Sequence, residues 1–163
     1  MIRPATPADA AAIAAIYAPQ VLTGTASFET AAPDTAEMTA RLARVQDRGW
    51  PWLVDDTGGR LRGYAYAAQF RDRAAYIHAC ENSIYVAADA HRQGVGRALL
   101  LALCDAARAA GFREMIAVIG DGTNNYGSTG LHAACGFQPA GKLHNVGLKF
   151  GRRLDVVYMQ KSL

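Results

Sequence analysis

The chain has 163 residues, 51% hydrophobic by a broad count and 19% charged, with a formal net charge of +3. That length fits one compact domain with its own core, and the composition excludes a disordered or fibrous chain. The basic residues are scattered, which argues against nucleic-acid binding, and no apolar stretch approaches the ~18 residues of a membrane span.

In chain order, residues 2–4 read as a short strand. Thr6 before Pro7, with Asp9 in the first turn, marks a helix start, and Ile13, Ile16 and Tyr17 follow at helical spacing. Asp34 and Glu37 form a capping-box pattern ahead of a second helix whose apolar face is Met38, Leu42 and Val45. Trp52 to Val54 reads as a strand, Asp56-Thr57-Gly58-Gly59 as a hairpin turn, and Leu61 to Ala67 as the returning strand. The polar loop Phe70-Arg71-Asp72-Arg73 leads to a third strand from about Ala75 to Val86. Gly94-Val95-Gly96 then opens a long apolar helix to about Ala110, closed by Gly111. Met115 to Ile119 reads as a buried strand, Asn125 to Ala134 as a helix, and Leu154 to Met159 as a last strand. Adjacent strands followed by strand–helix alternation predict an α/β (α+β) fold, a mixed central sheet with helices on both faces.

Cys80, Cys104 and Cys135 are odd in number and form no CxxC, so reduced thiols in a cytoplasmic protein are expected. The N-terminus lacks the charged and apolar regions of a secretory signal. The four His and three Cys lack metal-ligand spacing, so no metal is expected, and no G-x-S-x-G hydrolase motif occurs.

The segment His91 to Arg97 joins a strand to a helix, where free N–H groups and a helix dipole favour a pyrophosphate. GxG alone also suits a plain helix start. A dinucleotide fingerprint needs a third Gly where Leu99 stands, and a P-loop needs G-K-[ST] where Leu99-Leu100-Leu101 stand.

With its context, this segment resembles the GNAT acetyltransferases, whose signature is [R/Q]-x-x-G-x-[G/A]. Here His91 takes the first position and both glycines are kept. The resemblance runs along nearly the whole chain and is nearest to the phosphinothricin and methionine sulfoximine acetyltransferase branch. It is carried by Ala26 to Thr30, Trp52 to Val54, Gly63 to Ala67, Arg73 to Tyr76, Glu81 to Val86 and Ala117 to Gly120. Leu131-His132, Gly136-Phe137, Gly147 to Arg152 and Leu154 to Val157 extend it. Arg153 stands where that branch is expected to carry Trp.

The resemblance implies one acetyltransferase domain over residues 1–163, using acetyl-CoA to acetylate the α-amine of a small amino-acid-like substrate. It implies Glu81 as the general base, directly or through water, and His132 as an acid or orienting group. It places coenzyme A on Ile84, Tyr85, Val86, Arg92, Gln93, Gly94, Val95, Gly96 and Arg97, with Asn125 holding the pantetheine arm. Phe28, Glu29, Arg71, Arg73, Tyr76 and Lys149 are its candidates for the substrate, because a guanidinium grips a carboxylate or phosphinate bidentately. Homodimers are common in the family. Acetylation of a peptide N-terminus or polyamine, and a catalytically silent acyl-CoA sensor, are the rival readings.

Overall fold

The computed structural model describes residues 1–163. Its elements are β1 (Ile2–Pro4), α1 (Ala10–Leu22), α2 (Thr35–Gln46), β2 (Trp52–Asp56), β3 (Leu61–Gln69) and β4 (Ala79–Val86). There follow α3 (Val95–Ala109), β5 (Glu114–Gly120), α4 (Tyr126–Ala134), β6 (Gln138–Lys149) and β7 (Arg152–Ser162). The seven strands form one sheet in the order β1-β2-β3-β4-β5-β7-β6. Only β4 and β5 run parallel; every other pair is antiparallel.

Strand alternation assigns the two faces. On one face Ala65, Ala67, Cys80, Met115 and Ala117 pack against Leu99, Leu100, Leu103 and Cys104 of α3. On the other, Trp52, Val54 and Tyr64 pack against Ile13 and Tyr17 of α1 and Met38 and Leu42 of α2. Trp52 stacks on Tyr66 at 4.1 Å, and Tyr85 meets Tyr64 at 5.2 Å and Tyr17 at 4.8 Å. The cap signals hold: Asp34 accepts from the Glu37 amide at 2.8 Å, and Gly111, at φ +100°, ends the turn after α3.

The strands differ from the sequence expectation most at β4, β6 and β7. β4 begins at Ala79 rather than Ala75, because Ala74–Tyr76 form a 3-10 turn with Tyr76 N–H bonded to Arg73 C=O at 3.0 Å. Pairing with β3 stops at Gln69↔Cys80, so nothing extends the chain before it. β6 was not foreseen as a strand; it is an edge strand, exposed along most of its length and interrupted by Pro139, Gly141 and Gly147. β7 runs well past both ends of the expected last strand.

At the opposite edge Arg3 donates to both oxygens of Asp9, at 2.8 and 2.9 Å, and Asp9 also accepts from the Thr6 amide at 2.7 Å. These bonds from Arg3, opposed by burial, hold the Asp9 carboxyl down from an ordinary 3.8 to about 2. A carboxyl with a depressed folded pKa stabilises the fold above its unfolded pKa, and that contribution is lost as pH falls through the folded one. Asp9→Asn is expected to lower the urea midpoint at neutral pH, and the gap to wild type should narrow between pH 3.8 and about 2. A gap that stays constant across that window would refute the assignment.

Candidate active site

The site begins where the parallel pair comes apart. β4 and β5 are in register only from Ala79↔Glu114 to Asn82↔Ala117. Beyond that point β4 continues to Val86 against β3, and β5 continues to Gly120 against β7. Two backbone edges therefore face each other without sharing hydrogen bonds. Between them lies a cavity of about 620 Å³, walled by Ser83–Val86, Val118–Gly120 and the start of α4, and closed at one end by the loop into α3. Unpaired strand edges offer N–H and C=O groups to an extended amide-bearing ligand, as an added strand would.

The loop into α3 supplies the polar end. Arg92 and Gly94 both have positive φ, at +59° and +80°. Gly94 sits at the N-cap, a conformation a side chain disfavours. The first α3 bond is Ala98 N–H to Gly94 C=O at 3.0 Å, so the amides of Val95, Gly96 and Arg97 precede the helical ladder. Free amides, the helix dipole and the exposed side chains of Arg92 and Arg97 together make an anion site. His91, the departure from the signature, places Nε2 at 3.1 Å from Val86 C=O and so caps the end of β4. Gln93 lies outside the cavity; its side chain donates back to Asp89 C=O at 2.7 Å.

At the apex of the fork Asn82, 5% exposed, and His132, 2% exposed, meet. His132 Nε2 lies 3.0 Å from Asn82 Oδ1, and its Nδ1 lies 2.8 Å from Ser128 C=O. Burial, partly offset by Ser128 C=O, pushes the His132 imidazole below its ordinary value. Asn82 Nδ2 donates to Ile116 C=O on β5 at 3.2 Å, which ties the strands together at their last shared pair. Asn125 serves twice: it caps α4 by accepting from the Ser128 amide at 3.2 Å, and it lines the cavity.

Glu81 precedes Asn82, so its side chain leaves the other face of the sheet, toward α1 and α2. It does not line the cavity. Burial raises the Glu81 carboxyl above its ordinary value, and the charge of Arg71 opposes this more weakly. Arg71 lies over the Phe70 ring at 4.2 Å, and Phe70 meets Tyr76 edge-on at 5.9 Å. Arg71, Arg73 and Tyr76 are all exposed on the loop before β4. Glu29 is already paired: Arg41 of α2 grips both its oxygens at 2.7 and 2.9 Å, and Tyr17 donates at 2.8 Å. Lys149 is buried and tethers the loop after α1 by donating to Ser27 C=O at 2.6 Å and Gln20 C=O at 3.4 Å. That loop crosses the end of β5, and the Phe28 ring lies against Gly147 and Gly120. Arg153 is exposed, opposite Leu148.

Residues 2–158 match the family described as acetyltransferase (GNAT) domain. The chain belongs to the GNAT acetyltransferases. It is 54% identical over 155 residues to the phosphinothricin N-acetyltransferase of Alcaligenes faecalis, an alignment covering 95% of this chain and 78% of that protein. It is 39% identical over 163 residues to the methionine sulfoximine/methionine sulfone acetyltransferase of Pseudomonas aeruginosa, covering 99% and 94% of the two chains. The fold overlays, at a TM-score of 0.95 and 42% identity, on a phosphinothricin acetyltransferase from Sinorhizobium meliloti solved with acetyl-CoA. That overlay covers 100% of this chain and 88% of the other.

In this GNAT chain the expected cofactor residues other than Gln93 gather around one cavity, together with His132. The expected substrate residues and Glu81 stand outside it. Asn82, Ser128 and Arg41 were not singled out beforehand. Asn82 was visible as the neighbour of Glu81, whereas Arg41 looks in sequence like an ordinary surface partner of Glu37. The crossing of the loop over β5 depends on Gly120, where a Cβ would lie 2.3 Å from Ala26 C=O. Gly120→Ala is expected to lower stability by about 1–3 kcal/mol in urea unfolding. Gly130→Ala, at a helical position with nothing within 4 Å, is expected to be neutral or stabilising. Equal effects of the two substitutions would count against the crowding.

Proposed function

We propose that the chain is a single acetyltransferase domain transferring acetyl from acetyl-CoA to the α-amine of a small amino-acid-like substrate of the phosphinothricin and methionine sulfoximine type. One observation carries the reading: the cavity between β4 and β5 runs from the anion site at α3 to the fork beside Glu81. Val86 lies five residue steps along β4 from Glu81, roughly 16 Å at strand rise. In this reading the N-terminus of α3, with Arg92 and Arg97, holds the pyrophosphate, and Ile84, Tyr85 and Val86 with Asn125 hold the pantetheine arm. The acetyl group then lies at the fork.

Glu81 takes the proton from the amine, which frees a lone pair to attack the thioester carbonyl. Its burial suits it to this task by making the carboxylate a stronger base. Backbone N–H groups on the bare edge of β4 stabilise the oxyanion. Attack forms the carbon–nitrogen bond; collapse of the adduct then breaks the carbon–sulfur bond and restores the carbonyl, the nitrogen releases its remaining excess proton to solvent, and the departing thiolate takes up a proton, with His132 oriented at the fork. Arg71, Arg73 and Tyr76 face the substrate's carboxylate and phosphinate-like groups, while Phe28 and the Glu29–Arg41 pair form the far wall. Glu29, being charge-paired, shapes that wall rather than acting as a free carboxylate. Three buried free cysteines support a reducing, cytoplasmic setting. The exposed Leu148 of β6 and Phe150 just after it support a homodimer.

The deciding experiment is thiol release from acetyl-CoA against phosphinothricin, methionine sulfoximine, methionine sulfone, common amino acids, polyamines and a short peptide. Release with the amino-acid analogues alone is expected. Release with peptide or polyamine alone would overturn the substrate assignment. Glu81→Gln is expected to lower kcat on the order of 10²-fold. The wild-type rate should fall on the acid side as the Glu81 carboxyl, raised from its ordinary value, becomes protonated. A near-wild-type rate in the variant across the pH range would sink the base assignment. Arg73→Ala is expected to raise KM for the acidic amino-acid substrate roughly tenfold or more while leaving KM for acetyl-CoA nearly unchanged. Equal changes in the two constants would remove Arg73 from the substrate site.

A further inference from the structure

The surroundings of His132 assign a role to Asn82 that the reaction scheme above does not use. A buried side-chain amide has two orientations, and its partners decide between them. Ile116 C=O can only accept, so the Asn82 amide must turn Nδ2 toward it, at 3.2 Å. That leaves Oδ1, an acceptor, facing His132 Nε2 at 3.0 Å. The other ring nitrogen, Nδ1, faces a second acceptor, Ser128 C=O, at 2.8 Å, with the Ser128 hydroxyl at 3.4 Å. Phe137 closes the site with its ring edge-on at 5.0 Å.

Both imidazole nitrogens thus meet oxygen acceptors. A neutral ring has one N–H and satisfies one of them; a ring with a proton on each nitrogen satisfies both. No charged side chain shifts the ring; burial lowers it and the bond to Ser128 C=O raises it. Burial disfavours the cation, and the two acceptors favour it. Asn82 also lies against the cavity, so this balance is struck beside the reacting groups.

We propose that Asn82 is a positioning residue that gives His132 its second acceptor, so that the buried ring can carry a proton on each nitrogen while acetyl transfer proceeds. The proposal rests on the reading of His132 as part of the acetyl-transfer site. Nε2–H is held by Asn82, and Nδ1, beside the Ser128 hydroxyl and the cavity, is where the second proton enters and leaves. When the carbon–sulfur bond breaks, that proton passes from Nδ1 by way of the Ser128 hydroxyl toward the thiolate, and the ring returns to its neutral form. The ring regains that proton from solvent before the next turnover, so no further reactant is required.

The test follows the His132 ring by long-range proton–nitrogen NMR in the full-length protein, with its signals assigned by their loss in His132→Gln. Asn82→Leu removes both hydrogen bonds at similar size, whereas Asn82→Asp keeps the acceptor and adds charge. The His132 titration midpoint is expected to fall by about half a pH unit or more in Asn82→Leu and to rise in Asn82→Asp. kcat is expected to fall about tenfold in Asn82→Leu while KM for acetyl-CoA stays within about twofold. Equal midpoints in the three proteins would overturn the proposal whatever the rates, as would an unchanged kcat in Asn82→Leu. Should Leu at this position unfold the chain, the Asp variant alone decides, because an unmoved midpoint there refutes the contact. His132→Gln with wild-type turnover would instead overturn the reading beneath it, and with that the catalytic consequence of the contact.

Discussion

β4 and β5 cease to pair after Asn82 and Ala117, and the two backbone edges this leaves bare set the terms for the rest of the molecule. A sheet with unpaired interior edges loses ladder hydrogen bonds, and buried backbone groups left without partners are strongly unfavourable. The parting is sustained from both sides. β3 keeps its full register with β4 to Val86, and β7 keeps its register with β5 to Gly120. Each half of the sheet is thus complete without the other, and the gap is a property of the joint. Asn82 closes that joint with a side-chain bond to Ile116 C=O where the ladder ends. His91 caps the far end of β4 in a similar way, through Val86 C=O.

The same geometry gives Glu81 and His132 different surroundings. Glu81 and Asn82 are neighbours on one strand, so their side chains leave opposite faces. Glu81 faces the aromatic layer under α1 and α2, where burial raises its carboxyl and favours proton uptake. His132 reaches the fork from the face that carries α3 and α4, where burial lowers its imidazole. In an unbroken sheet these groups would be separated by the backbone layer. Here the sheet parts just past Glu81, and Asn82 and His132 line the gap that opens.

Much of this was legible in the sequence, for identifiable reasons. Cap residues and turn glycines act locally, so Asp34, Gly58, Gly94 and Gly111 announced their turns. The glycine loop was legible because an anion site at a helix start requires small residues at fixed spacing. β6 was not, because an exposed edge strand has no buried face to impose alternation. The start of β4 was misplaced because Ala75 and Tyr76 suit a strand, yet no neighbouring strand reaches that far to pair with them. The tethering roles of Arg41, Tyr17 and Lys149 were illegible for a third reason. Their partners Glu29 and Ser27 lie on a loop whose path is fixed only by tertiary contact.

That loop shows how a segment without regular structure is held in place. From Thr25 to Glu29 it is pinned at four points on four different elements. Thr25 donates to Asp121 at 2.6 Å just past β5, and Lys149 of β6 donates to Ser27 C=O. Tyr17 of α1 bonds both Ser27 Oγ and Glu29, and Arg41 of α2 grips the Glu29 carboxylate. Each contact taken singly is modest, and the Arg41–Glu29 pair is partly exposed to water, which weakens it. Their value lies in direction: each restrains the loop along a different line, so Phe28 is held against Gly120 and Gly147. The loop is thus fixed from four sides where it crosses the end of β5.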